Sequence, residues 1–204
     1  MKKIISVLIL SLFLTSCSLA YPISHKNDVV VSPEPISSTA PTIGDFRSNT
    51  WGDSIQNVEK IEGVPIEKSQ GFLAYDGSLL TCPVMIAYRF NSDKLYRGMY
   101  VFKQNHVDAK AFITDFKMIE EELTNKYGKP SEQFENWKDD LYKDDPSDWG
   151  MAIKVGDLTY ISTWEIQETE IVLILSGDNF KVNLFLQYTD TVEEKNVKKD
   201  TSGL

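Results

Sequence analysis

Apolar residues recur at three- and four-residue steps through Ala109, Phe112, Ile113, Phe116, Ile119, Leu123 and Tyr127. That spacing predicts one continuous stripe on a helix from Asp108 to Tyr127. Asp108 suits its N-cap, Gly128 the position just past its end, and Pro130 the stop beyond. A shorter helix is predicted after Asp53 or Ser54, with Ile55, Val58 and Ile61 on one side. Gly63 would end it, and Pro65 bars its continuation. Runs rich in β-branched and aromatic residues predict strands at Gly71–Tyr75, Val84–Phe90 and Leu95–Phe102, parted by turn residues such as Asn91-Ser92-Asp93. Four more are predicted as an antiparallel meander at Met151–Val155, Leu158–Glu165, Glu170–Ser176 and Lys181–Tyr188. Gly156-Asp157 has the composition of a tight hairpin turn between the first two, and Gly177-Asp178-Asn179 that of a longer one. Ile171–Leu175 shows no alternation, which predicts a central strand covered on both faces.

The fold class expected is therefore α+β, an antiparallel sheet packed by one short and one long helix. Val58 to Pro65 and Leu123 to Pro130 both end a helix on Gly-x-Pro, with Gly63 and Gly128 lying 65 residues apart. Each is followed by a polar stretch, an aromatic residue and strands, the plan of a tandem α-β-β-β repeat. This plan resembles the tandem helix–sheet modules of the β-lactamase inhibitor protein and of the small lipoprotein of the outer-membrane β-barrel assembly machine. The opening Phe46–Gly63, with Trp51-Gly52-Asp53-Ser54 leading into a helix, is similar to the start of many uncharacterised bacterial envelope proteins. Both resemblances imply a binding or assembly module.

The N-terminus has two lysines, an apolar run from Ile4 to Leu14, and then Thr15-Ser16-Cys17, the parts of a secretory signal too short to span a bilayer. Leu14-Thr15-Ser16-Cys17 resembles the lipobox of bacterial lipoproteins. The resemblance implies cleavage after Ser16, a diacylglyceryl group on the Cys17 sulfur and acylation of the new amine. Two or three acyl chains make a durable membrane anchor. Ser18 stands where an inner-membrane retention signal would place Asp, which points to the outer membrane if the source has one. Residues 18–45 are rich in Ser, Pro and Thr and read as a tether. The expected organisation is a signal peptide at 1–16, a lipidated tether at 17–45, one domain at 46–190 and a polar tail at 191–204.

The formal net charge is −9, from 21 Lys+Arg against 30 Asp+Glu. Removing residues 1–16 takes two lysines and no acids, leaving −11. Such a surface is not built for nucleic acid or for anionic head groups, so the lipid on Cys17 would hold the protein at its membrane.

The chemistry-bearing residues are few. His25 falls in the tether and His106 before the long helix, so a nucleophile–histidine site would have to use His106. No nucleophile elbow, zinc-protease helix motif, phosphate loop or Cys-x-x-Cys is present. Cys82 reads as a buried thiol, and no cofactor is implied. The most unusual stretch runs from Trp137 to Trp149. Asp139, Asp140, Asp144, Asp145 and Asp148 can offer oxygens to Ca²⁺, but without the spacing or central glycine of an EF-hand loop. They read rather as a solvated acidic connection. Trp137, Tyr142 and Trp149, interleaved with those acids, are the candidate partner-binding aromatics, set against a role in closing the edge of the sheet. The functional expectation is a lipid-anchored envelope protein acting as a non-catalytic binding or assembly module. The alternatives are a small-ligand sensor or carrier, and a hydrolase built on the acidic cluster.

Overall fold

A computed structural model describes residues 46–201, so the signal, Cys17, the tether and His25 lie outside the described residues. The order of elements is α1 (Ile55–Glu62), β1 (Glu67–Ser69), β2 (Phe72–Leu79), β3 (Cys82–Asn91), β4 (Lys94–Phe102), α2 (Lys110–Tyr127), β5 (Glu132–Trp137), α3 (Trp149–Val155), β6 (Leu158–Ile166), β7 (Thr169–Asp178), β8 (Lys181–Asp190) and α4 (Thr191–Thr201). The class is α+β. All eight strands join one antiparallel sheet in the order β1-β2-β3-β4-β8-β7-β6-β5. No helix among the described residues is long and apolar enough to cross a membrane.

The strand order is that of two helix-plus-four-strand halves joined through their last strands, β4 and β8. Both Gly-x-Pro helix ends are built alike. Gly63 and Gly128 have φ of 91° and 86°, and their N–H groups donate to Glu59 O and Thr124 O at 2.9 Å. A left-handed φ at that position is what glycine tolerates and other residues do not. Each turn delivers the chain to an edge strand that the sequence reading does not foresee, because β1 and β5 are short and exposed. The halves are offset by 65 residues at β1 and β5 but by 87 at β3 and β7. The 22 extra residues are the acidic stretch and α3, an insertion in the second half.

Four expectations change. Met151–Val155 is helical, not a strand, because a short apolar run carries no decisive period. Packing selects the helix. Gly150 lets it approach α2, where a Cβ would lie 2.9 Å from Lys110 N, and Gly177 lets it approach β7, where a Cβ would lie 2.0 Å from Ile153 O. Gly156 has the positive φ expected of it, 86°, but as the C-cap of α3 and not as a hairpin turn. Gly177 accordingly lies inside β7, and the β7–β8 turn is Asn179-Phe180, with φ of 48° and 63°. The stretch read as a polar tail carries α4, whose first turn is capped by Asp190 Oδ1 accepting from Val192 N at 2.9 Å and Glu193 N at 3.2 Å. Glu194 holds Arg97 at 2.5 Å and Glu193 holds Asn91 at 2.9 Å, which ties α4 to the sheet.

One face of the sheet carries the core. Tyr88, Tyr100, Leu186, Leu173 and Trp164 are buried on it, together with Val58 of α1, Phe112, Phe116, Ile119 and Leu123 of α2, and Ile153 of α3. At its centre Phe46 sits with its ring centroid 5.0–5.5 Å from those of Tyr88, Tyr100 and Tyr188. Gly98 makes room for it, since a Cβ there would meet the Phe46 ring at 2.1 Å. β7 is an interior strand as expected, but its two faces differ. Ile171, Leu173 and Leu175 are fully buried, while Val172 and Ile174 stay partly exposed on the opposite face.

Candidate functional site: the open face of the sheet

The register assigns the second face residue by residue. Met85, Val101, Phe185, Ile174, Ile161 and Phe134 are successive cross-strand partners on β3, β4, β8, β7, β6 and β5. They form a single apolar row about 24 Å long at the usual strand spacing of roughly 4.8 Å. Ala87, Met99, Gln187, Val172 and Thr163 form the adjoining row. The side chains of the first row are partly exposed, Phe134 at 52%. None of them belongs to the core or packs against it among the described residues. Isolated exposed apolar side chains are ordinary, but a contiguous row that none of the described core residues packs against is the kind of surface that marks an interaction site. One row further out the charges separate, with exposed Arg89 at the β3 end, beside Arg97 already paired with Glu194, and Glu170 and Glu165 at the β7–β6 end.

Sequence patterning does not show this row. Its members come from six strands, and each reads as the unremarkable half-buried position of an alternating strand. Only the pairing register collects them.

The expected site residues lie elsewhere. Trp137 and Trp149 meet edge to face with centroids 5.8 Å apart, and both pack, with Tyr142, against the margin of the core. The indole N–H of Trp149 donates to Lys143 O at 3.1 Å, fastening the inserted loop over itself. The five aspartates are all exposed. Asp139 Oδ1 accepts from Leu141 N, Asp145 Oδ1 accepts from Ser147 N, and Asp140 pairs with Lys143 at 3.0 Å. The hydrogen bond from the Ser147 backbone lowers the Asp145 pKa. These are loop-capping roles, and no group of three metal-capable side chains gathers among the described residues.

His106 Nε2 lies 2.6 Å from Asp115 Oδ2, and its ring stands edge-on to Phe112. Cys82 is buried, and its thiol pKa is raised first by that burial and then by the charge of Asp115. Both causes oppose a thiolate nucleophile.

The most concentrated polar group is near the chain's entry into the domain. Glu62 Oε1 accepts from Arg47 Nε at 2.9 Å, Tyr88 OH at 2.6 Å and Asn49 Nδ2 at 3.1 Å, and the Glu62 side chain is 9% exposed. Burial alone would raise its pKa, but the hydrogen bonds from Arg47 and Tyr88 and the charge of Arg47 outweigh that and lower it. The Tyr88 hydroxyl, buried and donating to that carboxylate, is driven well above the ordinary phenol range. This cluster pins the start of the domain to α1 and β3. Among the described residues, Arg47, Asn49 and Tyr88 supply the donors to this carboxylate.

Compared with known proteins, the chain matches no family model, no curated protein and no solved structure.

Proposed function

We propose that this is a lipid-anchored envelope protein whose domain is a non-catalytic binding module, and that the open sheet face receives a protein partner. The row from Met85 to Phe134 carries the reading. It is apolar across six strands, separate from the core, and flanked by opposite charges at its two ends. Burying such a row supplies affinity, while the charged margin fixes the orientation of what binds. The lipobox at Leu14–Cys17 supports the anchor, and the Ser-, Pro- and Thr-rich composition of residues 18–45 supports a tether. The module can thus search the space beside its membrane.

The test is site-specific photocrosslinking in intact cells, with a crosslinking side chain at Phe185 on the open face or at Glu122 on the exposed side of α2. A defined protein adduct from position 185 and none from 122, lost in Ile174→Asp and in Cys17→Ser, supports the proposal. Equal labelling from both positions, or an adduct indifferent to Ile174→Asp, removes the open face as the site. Continued sedimentation of Cys17→Ser with membranes removes the anchor.

A further inference from the structure

A second surface, distinct from the open face, stands at the opposite end of the sheet from the inserted loop. β1 covers only part of its neighbour, because its pairing runs from Ser69↔Phe72 to Glu67↔Ala74 while β2 continues to Leu79. Ala74 O accepts from Ile66 N at 2.8 Å, so the main chain of Ala74 faces outward, away from β3. Alternation along the strand turns the N–H and C=O of Asp76 and Ser78 the same way. Asp76, Gly77 and Ser78 are exposed, and beyond Ala74 no strand pairs with this edge among the described residues.

The free edge opens into a cleft of about 410 Å³. Its lips are Val64, 92% exposed, and Ile66, 59% exposed, two apolar side chains held out in water by the turn after α1. Its floor is Ile86, which leans into the space that a side chain at Gly77 would fill. The Tyr75 hydroxyl, on a side chain only 5% exposed at this cleft, has no hydrogen-bond partner. The charges around the cleft are already matched, Arg47 with Glu62 and Asp76 with Lys103. The unfilled valences are therefore main-chain groups, one phenol and apolar surface, a set that a charged metabolite would not satisfy and an extended peptide would. The other sheet edge differs. β5 carries Glu132 and Glu135 along an exposed strand, the charged blunting by which natural edges avoid pairing.

We propose that the β2 edge at Asp76–Ser78 is a strand-addition site for an extended peptide. Its main chain pairs with Asp76 and Ser78, and one apolar side chain enters between Val64, Ile66 and Ile86. Recognition of this kind draws affinity from the main-chain bonds and selectivity from the pocket. About five residues fill the free edge at roughly 3.3 Å each.

The experiment uses the full chain, nitrogen-15 labelled in detergent micelles, titrated with the acetylated and amidated peptide Thr-Val-Leu-Val-Thr. A second titration uses the same peptide N-methylated at alternate residues. Saturating shifts at the amides of Asp76 and Ser78 and at Val64 and Ile66 are expected from the first peptide and not from the second. Ser78→Pro removes an outward N–H without touching the β2–β3 ladder and should weaken binding about tenfold, the equivalent of one main-chain hydrogen bond. Val64→Asp with Ile66→Asp, both at exposed positions, provides a second variant with the same expected loss. Shifts centred on Phe185 and Ile174, shifts that survive N-methylation or both variants, or no shift at millimolar peptide would overturn the proposal. Crosslinking at Phe185 is independent of this edge, so the two readings fail separately.

Discussion

Replacing Gly98 by alanine tests the centre of the fold with one methyl group. The position has no left-handed φ to disturb, so the effect is steric. The added Cβ would lie 2.1–2.5 Å from three atoms of the Phe46 ring, which is 1% exposed and held among Tyr88, Tyr100 and Tyr188. The ring cannot retreat into the core, so it must tilt or leave. Leaving forfeits most of the burial of a phenylalanine, about 3 kcal/mol. Alanine's advantage over glycine in a strand returns about 0.5–1 kcal/mol, so a net loss of about 2–3 kcal/mol is expected. Phe46→Ala alone should cost about 3–5 kcal/mol. In the double variant the new methyl enters space the ring has vacated. Its stability should then match Phe46→Ala or slightly exceed it, a coupling of about 2 kcal/mol or more. Urea unfolding followed by tryptophan fluorescence reads all four proteins. Additivity of the two losses within about 0.5 kcal/mol would show that Phe46 does not sit over Gly98, and would refute this account of the core.

Glu62→Leu should destabilise the domain by about 3 kcal/mol at neutral pH, since Tyr88 and Asn49 are left buried without their acceptor. Because folding lowers the Glu62 pKa from its ordinary 4.5, its stabilising share is complete above that value and is lost as pH falls through the folded pKa. Wild type should therefore lose more stability than Glu62→Gln between pH 7 and acid, as read by melts across that range, and parallel curves would contradict this. Gly177→Ala drives a Cβ to 2.0 Å from the Ile153 carbonyl and should loosen α3 at a cost of about 2 kcal/mol or more, seen as faster hydrogen exchange over Trp149–Val155. The Cys82 thiol, 6% exposed with its pKa raised by burial, should react with a thiol reagent only at the rate of unfolding; fast labelling of native protein would place it at the surface.

Local signals carried α1, α2 and six of the eight strands. α2 was legible because seven apolar residues recur at helical spacing, and its end because Gly128 and Pro130 stop a helix wherever they stand. The Gly-x-Pro repeat foretold the two-part plan, since one backbone turn solves one problem twice. α3 was not legible. Five residues of mixed apolar character satisfy either period, and the choice rests on two close approaches made only in the fold, Gly150 within α3 against Lys110 and Gly177 of β7 against Ile153. α4 was hidden because its apolar content is slight, and its anchors, Asn91 and Arg97, are about a hundred positions upstream. Trp137, Tyr142 and Trp149 drew notice by composition, yet the structure spends them on the margin of the core.

The sequence by itself determined what depends on neighbours along the chain: the lipobox pattern, the Ser54 cap of α1, most strand runs, the acidic balance and the repeated helix ending. These follow from backbone preference and hydrophobic period, which act within a few residues. Tertiary structure alone decided which strands pair, and with that both surfaces proposed for binding. The apolar row exists because six half-exposed side chains from six strands share one register, and the peptide slot because β1 stops short of β2. Strand pairing joins residues as distant as Val101 and Phe185, and no local pattern records a contact of that range.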